Sequence, residues 1–182
     1  MKKYISIIAL LILPVFLFSQ DKFISRNGSI RIYSQTAAET IDATNGQVAS
    51  AIDASKGTLA FDVIIKSFKF KKALMEEHFN ENYMQSEKFP KSTFKGKFTD
   101  FDLKNFAKNG TYNVTVDGDL TIHGVTKKVT QKGTLEVKDG KVTAKSKFTV
   151  KVADYGIEIP SVVKDKVAST IELQVNIPYD KK

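Results

Sequence analysis

The chain has 182 residues and no cysteine. Disulfide staples and Cys-His dyads are therefore excluded, and so is a lipid-modified cysteine at a lipoprotein cleavage site. Histidine is nearly as scarce: there are two, His78 and His123. On a helix, His78 shares a face with only Glu77 and Glu81, and His123 falls in a turn, so no metal site is expected. Arginine, the preferred reader of nucleic-acid bases, occurs only as Arg26 and Arg31. Gly-x-Ser-x-Gly, a glycine-rich phosphate loop and a Ser-His-Asp arrangement are all missing. On these absences no enzyme activity and no cofactor is expected.

One apolar run stands out, Ile5 to Phe18, broken by Ser6 and Pro14 and preceded by Lys2 and Lys3. At about 14 residues it is short for a membrane span and fits the hydrophobic region of a secretory signal peptide. Residues 1–20 are assigned to that signal and residues 21–182 to a single domain. Loss of Lys2 and Lys3 lowers the formal net charge from +8 to +6. The remaining lysines are spread over alternating strand positions such as Lys141, Lys145, Lys147 and Lys151. That pattern reads as a solvated face with no nucleic-acid partner, and it permits transient attraction to a membrane surface.

The chain is organised around YNVTVDGDLTIHGVTKKVTQKGTLEV, residues 112–137. Tyr112, Val114, Val116, Leu120 and Ile122 recur at period two, and the alternate positions are polar, so one face is apolar and the other wet. His123-Gly124 suits a two-residue hairpin loop, because both residue types tolerate positive φ. This loop pairs Ile122 with Val125, Thr121 with Thr126, Asp119 with Lys128, Gly118 with Val129, and Val114 with Gly133.

Further strands are expected at residues 22–35, 39–53 (with a bulge at Asn45-Gly46), 58–68 and 92–101. Asp139-Gly140 makes another tight turn into a strand at 142–152, and the last strand runs from Val167 to Pro178, which ends it. Residues 69–91 break the alternation. Phe70 with Leu74, Leu74 with His78, and Met75 with Phe79 have helical spacing, and Pro90 stops the helix. Eight strands joined mainly by short turns favour an all-β fold, an eight-stranded antiparallel barrel with one short helical segment between strands 3 and 4. A two-sheet sandwich is the alternative.

The apolar strand faces collect Phe61, Val63, Ile65, Phe94, Phe98, Val114, Val116, Phe148, Val150 and Leu173. Met75, Phe79 and Tyr83 of the helical segment are placed to close one end. Such a barrel is either filled by its side chains or holds a ligand. His78 either reaches a ligand headgroup at the mouth or is satisfied by a backbone carbonyl.

GDLTIHGVTKKV (residues 118–129) and HFNENYMQSEKFPKSTFKG (residues 78–96), in this order and spacing, resemble the YceI-like proteins, also called lipid- or polyisoprenoid-binding proteins. The resemblance spans most of the chain after residue 20. It implies a lipocalin-like barrel with a long apolar cavity, an isoprenoid ligand such as a quinone or polyprenyl lipid, no catalysis, and a periplasmic or secreted location in a Gram-negative type of envelope. Where members often carry a histidine after the first strand, this chain has Ser34-Gln35-Thr36. Two expectations follow: a lipid carrier whose cavity is lined by the residues above, or a filled-barrel structural or stress-related envelope protein acting through protein partners. Either would be a monomer or a homodimer.

Overall fold

A computed structural model describes residues 22–182; the expected signal segment lies outside the described residues. The strands are β1 (Lys22–Gln35), β2 (Thr40–Asp53), β3 (Thr58–Ile64), β4 (Phe68–Phe70), β5 (Lys91–Phe98), β6 (Gly110–Ile122), β7 (Val125–Lys138), β8 (Lys141–Lys151) and β9 (Thr170–Lys181). They form one antiparallel sheet in the order β1-β9-β8-β7-β6-β5-β3-β2-β4, and the pairing of β1 with β2 closes it. β3 and β4 are two pieces of one barrel strand, interrupted by a 3-10 turn at Ile65–Ser67, so the barrel has eight strands. Closure removes the exposed edges that a sandwich would keep.

Two tight turns set the register of the long strands. His123 and Gly124 have φ of 50° and 76°, and Asp139 and Gly140 have 51° and 78°. Two consecutive left-handed residues twist a hairpin in the same sense as its strands. The register between β6 and β7 pairs Ile122 with Val125, Asp119 with Lys128, and Val114 with Gly133, as the alternation requires. On the outer face Thr121 Oγ1 and Thr126 Oγ1 stand 2.7 Å apart, and Lys128 reaches Asp119 at 3.4 Å.

Gly118 faces Gly96 across β5 and β6. The ring of Phe94 lies over this pair. A Cβ on Gly118 would come within 2.4 Å of the Lys95 carbonyl oxygen and 2.7 Å of Phe94 Cζ. The carbonyl belongs to a paired backbone and cannot withdraw without disturbing the ladder. Gly118→Ala is therefore expected to cost about 1–3 kcal/mol of stability. Urea unfolding checks this, and an unchanged midpoint would show that β5 yields freely.

One end of the barrel is plugged. The start of β1, the end of β9 and the turns after β2 and β7 lie there, together with a 3-10 turn at Leu103–Ala107 that Asp102 caps by accepting from Lys104 N. Phe106 from this turn sits 5.4 Å from Phe23, 5.9 Å from Phe98 and 5.0 Å from Phe101 between ring centroids. Just inside, Tyr179 and Ser50 are buried, with their hydroxyl oxygens 2.6 Å apart. Ser50 donates onward to the Ala60 carbonyl at 2.8 Å, so its proton is committed and Tyr179 is the donor to Ser50. Burial pushes the Tyr179 phenol above its ordinary pKa.

Three expectations need correction. The helical segment is confined to α1 (Ala73–His78) and a π turn at Phe79–Tyr83, while Phe70 belongs to β4. The strand beginning at Thr58 does not run unbroken to Phe68, because Ile65 N turns aside to bond the Pro90 carbonyl at 3.0 Å and Asn45 Nδ2 takes the Ile64 carbonyl at 2.9 Å. Pro178 does not end β9, which starts at Thr170 and continues through a Thr143–Pro178 pair to Lys181. Pairing of β9 with β1 is irregular just here, between Ile24 and Ser29, the kind of bulge where a strand tolerates proline.

Candidate ligand-binding cavity

Above the aromatic plug the inward side chains do not meet. They surround a cavity of about 560 Å³, inside the range of about 300–1,000 Å³ usual for small-molecule sites. A filled barrel is thereby corrected: eight strands give an interior that the inward side chains of this sequence leave partly open.

Phe61 and Val63 of β3 and Ile65 of the following turn form one wall. Phe94 and Phe98 of β5 with Val114 and Val116 of β6 form the next. Phe148 and Val150 of β8 face them with Leu173 of β9. Met75 of α1 and Phe79 and Tyr83 of the π turn lie over the upper end, and His78 stands exposed at the mouth. Every sequence-derived candidate therefore borders the same space. Phe98 and Val114 are buried near the floor, whereas Phe61, Phe94, Phe148 and Leu173 are half-buried, their free surface turned to the cavity.

Other lining residues escaped the sequence reading. Ile30, Ile32, Leu59, Leu120, Leu135 and Val175 lie on the strand faces whose parity was already legible. Ile157, Ile159 and Val163 come from the irregular segment between β8 and β9, where no period marks them, and Val167, expected to open the last strand, lies in that segment too. Polar lining falls at the mouth, with Glu39, Lys72 and Lys166, and along the β7–β8 wall, with Gln131, Lys132, Thr134, Lys145 and Ser146. Lys72 Nζ lies 3.1 Å from Glu39 Oε2, and this hydrogen bond, first among several cationic and backbone contacts, holds the Glu39 carboxyl below its usual pKa.

The upper wall is stitched by tertiary contacts. The β7–β8 ladder extends only from Lys138–Lys141 to Gly133–Ser146. Past that point the segment after β8 packs against the hairpin loop: Lys127 pairs with Asp154 at 3.7 Å, and His123 Nδ1 lies 3.2 Å from the Tyr155 carbonyl oxygen. A carbonyl only accepts, so Nδ1 carries the proton. Phe89 packs on the other side of the loop, 4.5 Å from the His123 ring. A Cβ on Gly124 would fall 2.5 Å from Phe89 Cε1, so glycine serves here for closeness as well as for φ. Thus the two sequence blocks around residues 78–96 and 118–129 touch each other at the rim.

The short helix is anchored in the same manner. Phe79 lies 5.6 Å from Phe68 and 5.0 Å from Phe70. Glu76 accepts from Lys69 Nζ at 2.7 Å and from Phe70 N at 3.2 Å, which keeps its carboxyl below the ordinary range. Among the described residues no group of three His, Asp or Glu side chains is gathered closely enough to hold a metal ion.

Residues 22–179 match the family model of the YceI-like domain. The chain belongs to the YceI-like family. None of the curated protein sequences matches it. Among solved structures, this YceI-like chain is similar to a polyisoprenoid-binding domain from Saccharophagus degradans at 12% identity and a TM-score of 0.77, covering 90% of this chain and 99% of that one. It is similar to Burkholderia cenocepacia BcnA at 16% identity and a TM-score of 0.68, covering 83% and 95%. A YceI protein of Campylobacter jejuni superposes with a TM-score of 0.52 at 15% identity, covering 100% and 99%. At these identities the likeness establishes a shared barrel architecture.

Proposed function

We propose that this YceI-like protein sequesters an isoprenoid lipid, a quinone or a polyprenyl lipid, and carries it through water without making or breaking a bond. The observation that carries this reading is the apolar cavity of about 560 Å³, plugged at one end and open at the other. Each methylene withdrawn from water into such a space contributes roughly 0.8 kcal/mol, so a few isoprene units suffice for tight binding without a charged contact. The polyisoprenoid-binding description of the Saccharophagus degradans neighbour supports the same ligand class.

In this reading Phe61, Val63, Ile65, Phe94, Phe98, Val114, Val116, Phe148, Val150 and Leu173 hold the tail. Met75, Phe79 and Tyr83 cover it, and His78 meets the headgroup. The expected signal segment, residues 1–20, supports a periplasmic or secreted location for the carrier.

Native purification from the envelope, organic extraction and mass spectrometry test the proposal. A stoichiometric prenyl-containing species is expected. An extract without lipid, repeated after incubation with total envelope lipids, would overturn it.

A further inference from the structure

Four large apolar side chains are markedly exposed among the described residues: Ile64, Leu74, Val125 and Val162. The two most exposed, Val162 at 88% and Leu74 at 61%, come from chain segments far apart in sequence. Leu74 opens α1. Val162 sits in the 3-10 turn at Ser161–Val163. Both belong to one rim: Leu74 borders the cavity mouth, and so do Val163, Lys166 and Val167 next to Val162. Lys72, two residues before Leu74, grips Glu39, and the charge of Lys166 also acts on that carboxylate. The turn between β1 and β2, the start of α1 and the 161–167 segment therefore converge around the opening.

Lone exposed apolar residues are ordinary on a protein surface. Two at the lip of an apolar cavity, each next in the chain to a residue that lines it, Met75 beside Leu74 and Val163 beside Val162, are a different arrangement. Lysines flank both, Lys71 and Lys72 beside Leu74, and Lys164 and Lys166 beside Val162. Acids are present too. Glu39 and Glu76 are engaged by Lys72 and Lys69, which leaves Glu77 and Asp165 exposed on the rim. With Glu81 and Glu158 also exposed between lining residues, the rim is close to neutral, and apolar insertion rather than charge makes the contact. Lysine stems suit such a boundary, since their methylenes lie along apolar surface while the ammonium stays among headgroups.

We propose that the cavity rim docks on a lipid bilayer, with Leu74 and Val162 entering the headgroup–acyl boundary, so that the ligand passes between membrane and barrel without crossing water. The inference rests on the lipid-carrier reading and adds the partner and the route. A lipid tail that must leave a bilayer through bulk water does so at a rate independent of vesicle concentration. A tail handed over at a docked rim moves at a rate proportional to that concentration.

The test uses Val162→Asp and Lys164→Glu, residues that do not border the cavity. Vesicles of phosphatidylcholine, with and without phosphatidylglycerol, carry a fluorescent long-chain ubiquinone analogue as probe. Wild-type protein is expected to acquire the probe at a rate that rises linearly with vesicle concentration. Val162→Asp is expected to slow acquisition about tenfold, as withdrawal of one partly inserted valine implies, and Lys164→Glu is expected to act mainly on phosphatidylglycerol vesicles. Affinity for the probe added from detergent micelles should be the same in all three proteins. Equal transfer rates in wild type and Val162→Asp, or a rate independent of vesicle concentration, would overturn the docking rim while leaving the carrier reading intact. Failure to bind probe even from micelles would count against the carrier reading itself. A dimer that Val162→Asp dissolves, without any vesicle dependence, would assign the rim to a second copy of the chain and so overturn the bilayer.

Discussion

Phe61→Arg is expected to abolish lipid binding while the barrel still folds. Phe61 is half-buried on β3 and borders the cavity, its ring 6.1 Å from that of Phe94 in an edge arrangement. Arginine cannot shed its proton, so the substitution sets a permanent charge in the tail's path. The guanidinium keeps its hydration by drawing water through the open mouth, and that water occupies the space the tail needs. A loss of more than about 100-fold follows if as few as four buried methylenes are displaced, at roughly 0.8 kcal/mol each. The chain has no tryptophan, which supplies a companion variant. Val175→Trp, on a half-buried cavity-lining position of β9, adds volume without charge and introduces a single emitter. Quenching of its emission by a short-chain ubiquinone reports occupancy directly, and affinity is expected to fall as the cavity shrinks. Undiminished binding by a folded Phe61→Arg protein would remove β3 from the binding wall.

Phe106→Ala is expected to lower stability by about 3–5 kcal/mol, the usual cost of emptying a buried phenylalanine site. Its ring is 6% exposed and contacts Phe23, Phe98 and Phe101 at once. Those partners come from β1, β5 and the segment after β5, so no neighbouring side chain can collapse into the space without dragging a strand. Urea unfolding followed by circular dichroism gives the number. A loss below about 1 kcal/mol would mean that the plug is peripheral and the ladder alone carries the closed end.

The plug also shows where sequence reading stops. Phe106 lies in a stretch without period, Asp102 to Gly110, which reads as a loop, and Phe101 is expected at the end of a strand that stops instead at Phe98. Nothing in the sequence marks either aromatic as a stopper for a barrel end. The break at Ile65–Ser67 is marked only by a change of parity: Leu59, Phe61, Val63 and Ile65 share one face, and the buried Phe68 falls three residues after Ile65, out of step with them. It follows from the Pro90 carbonyl and the Asn45 side chain claiming backbone groups on either side of Ile65. Proline 178 misled for the complementary reason: a residue that ordinarily ends a strand is accommodated by a bulge in the neighbouring one.

What the sequence by itself determined is which side of each strand faces inward and how neighbouring strands pair. Period two and the residue pairs His123-Gly124 and Asp139-Gly140 act between adjacent residues, so local reading recovers them, down to Thr121 opposite Thr126. The candidate lining residues were legible for the same reason, since an inward position is inward whether the barrel is full or open. Tertiary structure alone decided that the interior is a cavity above an aromatic plug. That outcome depends on strand number, on the glycine pair under Phe94, and on three segments that join no ladder: Phe101 to Ala107 at the floor, Ala73 to Tyr83 over the upper end, and Val152 to Val167 at the rim. Their positions are fixed by contacts between residues distant in the chain, and such contacts leave no period in the sequence.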